Sequence, residues 1–581
     1  MTDLQWLIGG EAGYGIVTTG VMMSKIFTRL GLSVFDYVEY PSLIRGGHNA
    51  YYVRGSDNPI FSQRKGIDIL VALNKDTINK HKDEVSENGA IIYDPSVTKV
   101  EPQEFSPSIL RVEVPLLEIT KKVGADHLMI NTVAIGASLA LFYSDFGVLQ
   151  KILTDVFGKK GEKVIQENLN ASKAGFDYVK THSAPPFKKQ VNALKQQNLL
   201  ISAAEAVALG AIRAGLQFAA IYPMTPINGV MTTIVQNAST YGIVVKEPED
   251  EIAGINMAIG ASFAGARSLV ATSGGGFSLM VESLGLAAQT EVPLVVVEGM
   301  RPGPATGMPT WTEQGDVRFV LHAAQGDFPR IVIAPGDAEE AFGFTMTAFN
   351  LAETYQLPVI LLVDKYLMES HATVPFENLS SRADSFRIER GKLLRDEDVA
   401  VQTDYKRYAL VEDGISPRSI PGQKGGIGLA GSDEHDEHGL YSEDAHMRVS
   451  MMDKRFKKLD SAIPHIPPPD LYGDEKAPVT IVSFGSTKMP IFEAMSSLAR
   501  EGIAIRFLKV SYLNPFPTEA VASTMKDSQK TLVIENNKTG QFEGLIREYT
   551  GFSVSDHLRK YDGRPFYPEE IVDHVKTLLK K

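Results

Sequence analysis

The chain has 581 residues, of which 44% are hydrophobic and 22% charged, and it carries a formal charge of −12. At about 100–200 residues per domain, this length predicts three to four domains. The 58 basic and 70 acidic side chains argue against a broad basic surface for nucleic acid. With no cysteine, the chain cannot form disulfides, a thiolate nucleophile, Cys-ligated zinc or an iron–sulfur cluster of its own.

Neither a membrane span nor a secretory signal is predicted. The longest apolar stretch, 128–143, contains Asn131, Thr132 and Ser138 and is shorter than the roughly 18 residues that a span needs. The N-terminal residues MTDLQW lack the basic and apolar regions of a signal peptide. We therefore expect a cytoplasmic protein with no membrane contact.

Residues 1–185 alternate strand and helix signals. Short apolar runs at 4–8, 67–73 and 90–93 predict strands, and 16–30 predicts a helix. This alternation is typical of an α/β fold with a mostly parallel sheet. The polar, proline-containing stretch 182–197 is predicted to be a linker.

Two further α/β units are predicted, 198–375 and 476–581. In the first, strand signals lie at 218–222, 268–272, 293–298, 330–333 and 358–364, and helix signals at 203–214, 249–264 and 278–289. In the second, strand signals lie at 479–484, 503–508 and 531–535, and a helix signal at 491–501. Residues 376–475 show little periodicity and are predicted to form an extended connecting region. The fold class is therefore α/β, with several three-layer domains.

Two segments of the first unit could contact an anion. The glycines of GGEAGYG, 9–15, lie between a strand and a helix, where a backbone can approach a phosphate closely. The Gly-x-Gly-x-x-Gly spacing is absent and Glu11 would repel an anion, so a tight turn is the alternative. Arg45 stands beside two glycines and can bind a carboxylate or phosphate, or it can be a surface residue of a turn.

Three segments of the second unit are candidates for a ligand site. Thr225 lies in YPMTP, with prolines at 223 and 226, at the end of an apolar strand, where ligands bind in α/β sheets; a purely structural turn is the alternative. Glu251 opens a helix and borders its apolar side, so it either interacts with the helix dipole or shares a proton with a ligand. Ser273, Gly274 and Gly275 form a turn that can approach a cofactor.

Two loops remain. The segment RPGPATGMPTWTEQ, 301–314, follows a strand and is too irregular for an ordinary connector, so we expect it to carry function. The His435–His438 segment could bind a metal, but its polar setting favours a solvated acidic loop. No nucleophile elbow, Walker A or zinc-protease motif is present.

Taken together, these segments resemble the α subunit of the 2-oxoacid:ferredoxin oxidoreductases with a γ-like domain fused ahead of it. The resemblance covers nearly the whole chain, and the subtype is most like the 2-oxoglutarate enzymes. YPMTP and SGGGFSLM at this spacing are its specific motifs. It also includes the segments GGEAGYG, IRGGH, EDEIAGINMAIGASFAGARSL, RPGPATGMPT, GISPR, SDEH and ENNKTGQ.

The resemblance implies four units. Residues 1–185 would be the γ-like domain, and 198–375 the domain that binds the aminopyrimidine half of thiamine diphosphate. Residues 376–475 would connect it to a domain like the C-terminal domain of transketolase, 476–581.

The resemblance also implies roles for individual residues. Glu251 would hydrogen-bond the ring nitrogen N1′ of the cofactor, and Thr225 would lie near substrate and cofactor, both as catalytic residues. Arg301, Thr225 and Arg45 are predicted to bind substrate. Cofactor contacts are predicted at Tyr222, Pro223, Glu251, Ser273, Gly274 and Gly275, and no metal ligand is predicted.

A β subunit is implied as the partner. The family's diphosphate half carries Gly-Asp-Gly for Mg²⁺, and this sequence has none. The Mg²⁺ and [4Fe-4S] cluster would therefore lie on the β subunit, in an (αβ)₂ heterotetramer. The implied reaction converts 2-oxoglutarate and CoA to succinyl-CoA and CO₂ and passes electrons to ferredoxin.

One position departs from the family pattern and bears on the substrate. Trp311 stands where an arginine is expected between two threonines, and an indole cannot pair with a carboxylate. The same chemistry on a branched-chain or aryl 2-oxoacid is therefore an alternative. An NAD-dependent dehydrogenase using the first glycine loop and a non-catalytic assembly subunit are more distant ones.

Overall fold

The computed structural model describes residues 2–43, 46–124, 126, 129–183, 186–196 and 198–580. Within this part of the chain, three sheets of eight, seven and five strands are each flanked by helices. The α/β fold class is confirmed. Arg45, one of the predicted substrate-binding residues, lies outside the described residues.

The first sheet begins with six N-terminal strands. They are β1 (Asp3–Ala12), β2 (Ser33–Glu39), β3 (Gly46–Ser56), β4 (Ile67–Ala72), β5 (Val85–Tyr93) and β6 (Leu110–Glu113). The helices are α1 (Ile16–Arg29), α2 (Lys75–His81), α3 (Leu116–Lys122), α4 (Ile130–Phe142), α5 (Gly147–Phe157) and α6 (Glu162–His182). β1 runs parallel to β4 and antiparallel to β3. β4 is buried along its whole length, as expected for a strand covered by helices on both faces.

The apolar stretch noted above forms α4, which spans only 13 residues. No helix in the described ranges is both long and apolar enough to cross a membrane.

The second unit contains the next eight strands. They are β7 (Asn198–Ser202), β8 (Phe218–Ala220), β9 (Val244–Lys246), β10 (Ser268–Ser273), β11 (Leu294–Met300), β12 (Ile331–Ile333), β13 (Pro358–Asp364) and β14 (His371–Pro375). Its helices are α7 (Ala203–Arg213), α8 (Asn228–Tyr241), α9 (Glu251–Phe263), α10 (Gly274–Leu279), α11 (Val281–Gln289), α12 (Val317–His322), α13 (Ala338–Tyr355) and α14 (Lys365–Glu369). The single helix predicted at 278–289 is two helices that meet at Met280.

The second sheet has the order β18-β12-β13-β11-β10-β8-β9, in which β18 is the later strand Tyr512–Asn514, and β12 through β9 are parallel. β7 and β14, from the two ends of the second unit, pair with each other and extend the first sheet beside β2. The first two units therefore share a sheet. The boundaries at 185 and 198 remain predictions.

The last unit forms the third sheet. Its strands are β15 (Asp470–Gly473), β16 (Val479–Ser483), β17 (Arg506–Lys509), β19 (Lys530–Glu535) and β20 (Asp556–Arg559), with β18 (Tyr512–Asn514) in the second sheet. Its helices are α18 (Lys488–Arg500), α19 (Thr518–Lys526), α20 (Gln541–Thr550) and α21 (Pro568–Lys580). Through β18, antiparallel to β12, this unit is also joined to its neighbour.

The connecting region contains more regular structure than predicted. Three helices lie within it: α15 (Phe376–Ser385), α16 (Asp396–Ala400) and the 18-residue α17 (Ala445–Ala462). The buried face of α17 includes Lys454 and Lys458, whose ammonium groups pair with the buried carboxylate of Glu291. A helix whose buried face carries cations shows no apolar periodicity, which explains why the sequence pattern missed it.

The acidic loop near His435 is not a solvated loop, so that prediction is wrong. The His435 ring is buried, with its centroid 4.0 Å from that of Tyr408. Glu434 pairs with Arg455 and Arg448. No group of three or more potential metal ligands occurs in the described part of the chain.

Candidate functional site

Three segments meet at the carboxyl edge of the second sheet. Two are the loops 221–227 and 301–316, which follow β8 and β11, and the third is the first turn of α10, which directly follows Ser273 at the end of β10 and is called the glycine turn. This edge is where ligands bind in open α/β sheets. The amino end of α9 reaches the same place, because Glu251 lies against the glycine turn.

Glu251 is the first residue of α9 and only 4% exposed. The side chain of Asp250 caps the helix by accepting a hydrogen bond from the Ala253 amide at 2.8 Å. A methyl group added at Gly276 would lie 2.5 Å from Glu251 Oε1, so the carboxylate touches the glycine turn. Glu251 Oε1 finds no hydrogen-bond partner among the described residues. A buried carboxylate oxygen without a partner is suited to accept a hydrogen bond from a ligand.

Thr225 is held in place by Arg301. Arg301 Nη1 donates a hydrogen bond to the Thr225 carbonyl at 2.8 Å. Pro226 packs on Gly299, where an added Cβ would lie 2.9 Å from the proline ring. Tyr222 and Pro223, at the start of the loop, are exposed. Tyr222 therefore faces outward, whereas Thr225 is held in position through its carbonyl by Arg301.

The turn Ser273–Gly275 completes the set. Ser273 is fully buried and its Oγ has no hydrogen-bond partner in the described ranges. A Cβ at Gly274 would lie 2.5 Å from Asp316 Oδ2, whereas Gly275 faces open space. The structure thus brings together Thr225, Glu251, Arg301 and the glycine turn. Their predicted roles remain predictions.

Two carboxyl groups beside this turn were missed by the sequence analysis. Glu298, near the end of β11, is fully buried and lies close to Asp316, and neither of its carboxyl oxygens has a hydrogen-bond partner among the described residues. Burial, reinforced by the Asp316 charge, raises the pKa of Glu298 well above its usual value. Burial also raises the pKa of Asp316 to about 6. The only signal in the sequence was an acid at the end of an otherwise apolar strand.

The loop 301–316 is anchored to all three sheets. Thr310 Oγ1 donates to the Tyr40 carbonyl at 2.5 Å, after β2 of the first sheet. Gln314 and Asn536, after β19 of the third sheet, exchange two hydrogen bonds of 2.7 and 3.0 Å. The ENNKTGQ motif therefore helps to hold this loop, and the loop is a fixed part of the structure.

Comparisons with known proteins extend this description. Three family models match the chain. The model described as "Pyruvate flavodoxin/ferredoxin oxidoreductase, thiamine diP-bdg" matches 209–454. "Pyruvate ferredoxin/flavodoxin oxidoreductase" matches 5–178, and "Pyruvate:ferredoxin oxidoreductase core domain II" matches 477–571. The second unit is thus a thiamine diphosphate-binding domain of the oxidoreductase class.

Individual relatives match the whole chain or about two thirds of it. "2-oxoacid:ferredoxin oxidoreductase 2, subunit alpha" of Aeropyrum pernix is 34% identical, with 100% of this chain and 98% of the relative covered. "2-oxoglutarate synthase subunit KorA" of Methanothermobacter thermautotrophicus is 32% identical, with 65% of this chain and 98% of the relative covered. The chain belongs to the family of 2-oxoacid:ferredoxin oxidoreductase α subunits.

A solved structure shows the same fold. The 2-oxoglutarate:ferredoxin oxidoreductase from Magnetococcus marinus, with 2-oxoglutarate, coenzyme A and succinyl-CoA bound, is 33% identical to this chain. The two align with a TM-score of 0.91 over 99% of each chain.

The residues present fit one half of thiamine diphosphate. The aminopyrimidine needs an acidic partner and a close, flat approach. Glu251 Oε1, which is buried and has no partner among the described residues, is the acidic partner. The glycine turn at 274–276 allows the close approach.

Gly276→Ala is expected to disturb this half-site. The added methyl would lie 2.1 Å from Thr272 Oγ1 and 2.5 Å from Glu251 Oε1, so Glu251 must move. Overpacking of this kind costs about 1–3 kcal/mol. We expect the affinity of the assembled enzyme for thiamine diphosphate to fall about tenfold or more, measured by titration calorimetry.

Gly260→Ala is the matched control. Gly260 lies on α9 and has open space around its Cβ position, so its affinity should stay within twofold of wild type. Equal affinities for the Gly276→Ala variant and the control would contradict the position assigned to Glu251.

Proposed function

We propose that this chain is the α subunit of a 2-oxoglutarate:ferredoxin oxidoreductase. The enzyme would convert 2-oxoglutarate and CoA to succinyl-CoA and CO₂ and pass the electrons to ferredoxin. The observation that carries the proposal is the unpartnered carboxylate oxygen of Glu251 against the glycine turn of a thiamine diphosphate-binding domain. The Magnetococcus enzyme, similar over 99% of the chain, supports 2-oxoglutarate and CoA as substrates.

Thiamine diphosphate, when bound, supplies the carbon nucleophile that adds to the 2-oxo group of the substrate. Glu251 would hold a proton at the pyrimidine ring nitrogen through a buried hydrogen bond, which would be strong because water is excluded. Ser273, Gly274 and Gly275 would let the backbone approach the ring, and Tyr222 and Pro223 would contact the cofactor. Thr225, whose carbonyl accepts a hydrogen bond from Arg301, would contact the substrate.

Arg301 is also placed to attract the acid group at the reacting end of the substrate. Its guanidinium lies near Asp316 and Glu298. Burial, opposed by these acids, lowers the pKa of Arg301. Arg45 is the second predicted substrate ligand.

A β subunit would complete the site. Large apolar side chains are exposed on the elements that carry it, and such surfaces mark interaction sites. They are Tyr222, Ile252, Met257, Leu279 and Met308. The Mg²⁺, the diphosphate contacts and the [4Fe-4S] cluster would lie on that subunit, since this chain has neither cysteine nor Gly-Asp-Gly. We propose an (αβ)₂ assembly with ferredoxin as the acceptor.

The test is a substrate panel on the assembled enzyme. With thiamine diphosphate, Mg²⁺ and CoA present, we expect viologen or ferredoxin reduction to have its highest kcat/KM with 2-oxoglutarate. Pyruvate, a branched-chain 2-oxoacid and an aryl 2-oxoacid serve as comparison substrates. A higher kcat/KM for any of these would contradict the assigned substrate, and reduction of NAD in place of ferredoxin would contradict the acceptor.

A further inference from the structure

The side chain of Trp311, in the anchored loop 301–316, is stacked against the guanidinium of Arg564. The guanidinium carbon of Arg564 lies 3.3 Å from the centroid of the indole. The two segments touch closely, since the Thr312 amide donates to the Gly563 carbonyl at 3.1 Å. A Cβ at Gly563 would lie 3.2 Å from that of Trp311. The segment between β20 and α21 of the last unit thus supplies a cation to the loop of the candidate site.

The guanidinium of Arg564 has N–H donors that no described residue accepts. Its side chain is 34% exposed. Its Nη1 reaches the Asp562 carbonyl at 3.3 Å, and its Nε lies 3.4 Å from Glu39 Oε1. No described residue accepts a hydrogen bond from Nη2. Burial, opposed by Arg564 and Lys365, raises the pKa of Glu39, which makes it a weak counterion.

The position of Arg564 relates it to the candidate site. Glu39 is followed by Tyr40, whose carbonyl accepts the hydrogen bond from Thr310. The loop 301–316 begins at Arg301, which donates to the Thr225 carbonyl, and ends at Asp316, which lies against Gly274. Trp311 therefore belongs to a loop whose two ends contact the candidate site.

We propose that Arg564, held flat on Trp311, binds the distal carboxylate of a dicarboxylic 2-oxoacid. An arginine presents a planar fork of donors that matches a carboxylate, and stacking on an indole fixes that plane. Arg301 is less suited to this second carboxylate because it is bonded to the Thr225 carbonyl and lies beside Asp316. This inference rests on the proposed function and specifies how its substrate is recognised.

Arg564→Gln in the assembled enzyme tests the inference. We expect the KM for 2-oxoglutarate to rise about 10- to 100-fold, the range for a lost charge-assisted hydrogen bond. The KM for 2-oxobutyrate, which has no second carboxylate, should stay within twofold, as should kcat for both. Arg564→Lys keeps the charge but not the planar set of donors, so its KM for 2-oxoglutarate should lie between those of wild type and Arg564→Gln. Arg547→Gln, at an exposed arginine of the same unit, should match wild type.

Binding of glutarate, measured by titration calorimetry, separates this inference from the proposed function. Glutarate binding that Arg564→Gln weakens supports the role of Arg564, even if 2-oxoglutarate is not turned over and the proposed function fails. A wild-type enzyme that binds no glutarate overturns the inference. So does a variant that raises both KM values equally, or one that lowers only the melting temperature, since Arg564 would then merely join two units.

Discussion

Replacing Glu251 by glutamine is expected to lower kcat for 2-oxoacid oxidation by about 100-fold or more. Glutamine keeps the size of the side chain but removes the carboxyl group that is assigned to hold a proton at the pyrimidine. Loss of a positioned acid or base costs about 10²–10⁴-fold in rate. The measurement is steady-state reduction of a viologen by the assembled enzyme at saturating 2-oxoglutarate and CoA.

The fold should survive this substitution. Glu251 Oε1 has no protein partner to lose in the described ranges, and the helix cap is provided by Asp250. Glu249→Gln, two residues earlier and exposed, is the matched control and should stay within twofold of wild type. A Glu251→Gln variant with undiminished kcat would rule out the assigned role.

The largest expected effect on stability is at Glu291. This carboxylate is fully buried between Lys454 and Lys458 of α17. Burial alone would raise its pKa, but the two ammonium groups hold the pKa below its ordinary range. Glu291→Gln would leave two buried cations without a counterion, which costs about 3–5 kcal/mol. We expect the first thermal transition to fall by roughly 6–15 °C.

Glu397→Gln provides the comparison for this measurement. Glu397 forms an exposed ion pair with Arg395 in the same connecting region, and exposed pairs contribute little. Its melting temperature should match that of wild type within about 1 °C. If Glu291→Gln melted at the same temperature as this control, α17 would not be held by the buried cluster.

The parallel strands of the second sheet could be predicted from sequence because buried strands form continuous apolar runs. β13 (Pro358–Asp364) matches its prediction, and β10 and β11 differ from theirs by one or two residues. α17 could not be predicted, since its buried Lys454 and Lys458 make sense only when Glu291 of another element faces them.

Some residues of the candidate site could likewise be predicted from the sequence, and others could not. Thr225, Glu251 and the glycine turn each follow a strand or open a helix, so local signals placed them at one edge of a sheet. Asp316 and Arg564 lack such a signal, because what matters is their contact with Gly274 and with Trp311. Local sequence patterns do not predict contacts between residues that are far apart in the chain.

Binding of thiamine diphosphate to the chain with and without its partner tests the central claim most directly. The claim is that this chain holds only the aminopyrimidine half of the cofactor site. We predict that titration calorimetry with Mg²⁺ present detects no saturable binding to the chain alone and one cofactor per α chain in the assembled enzyme. Micromolar binding of thiamine diphosphate by the chain alone would contradict the half-site.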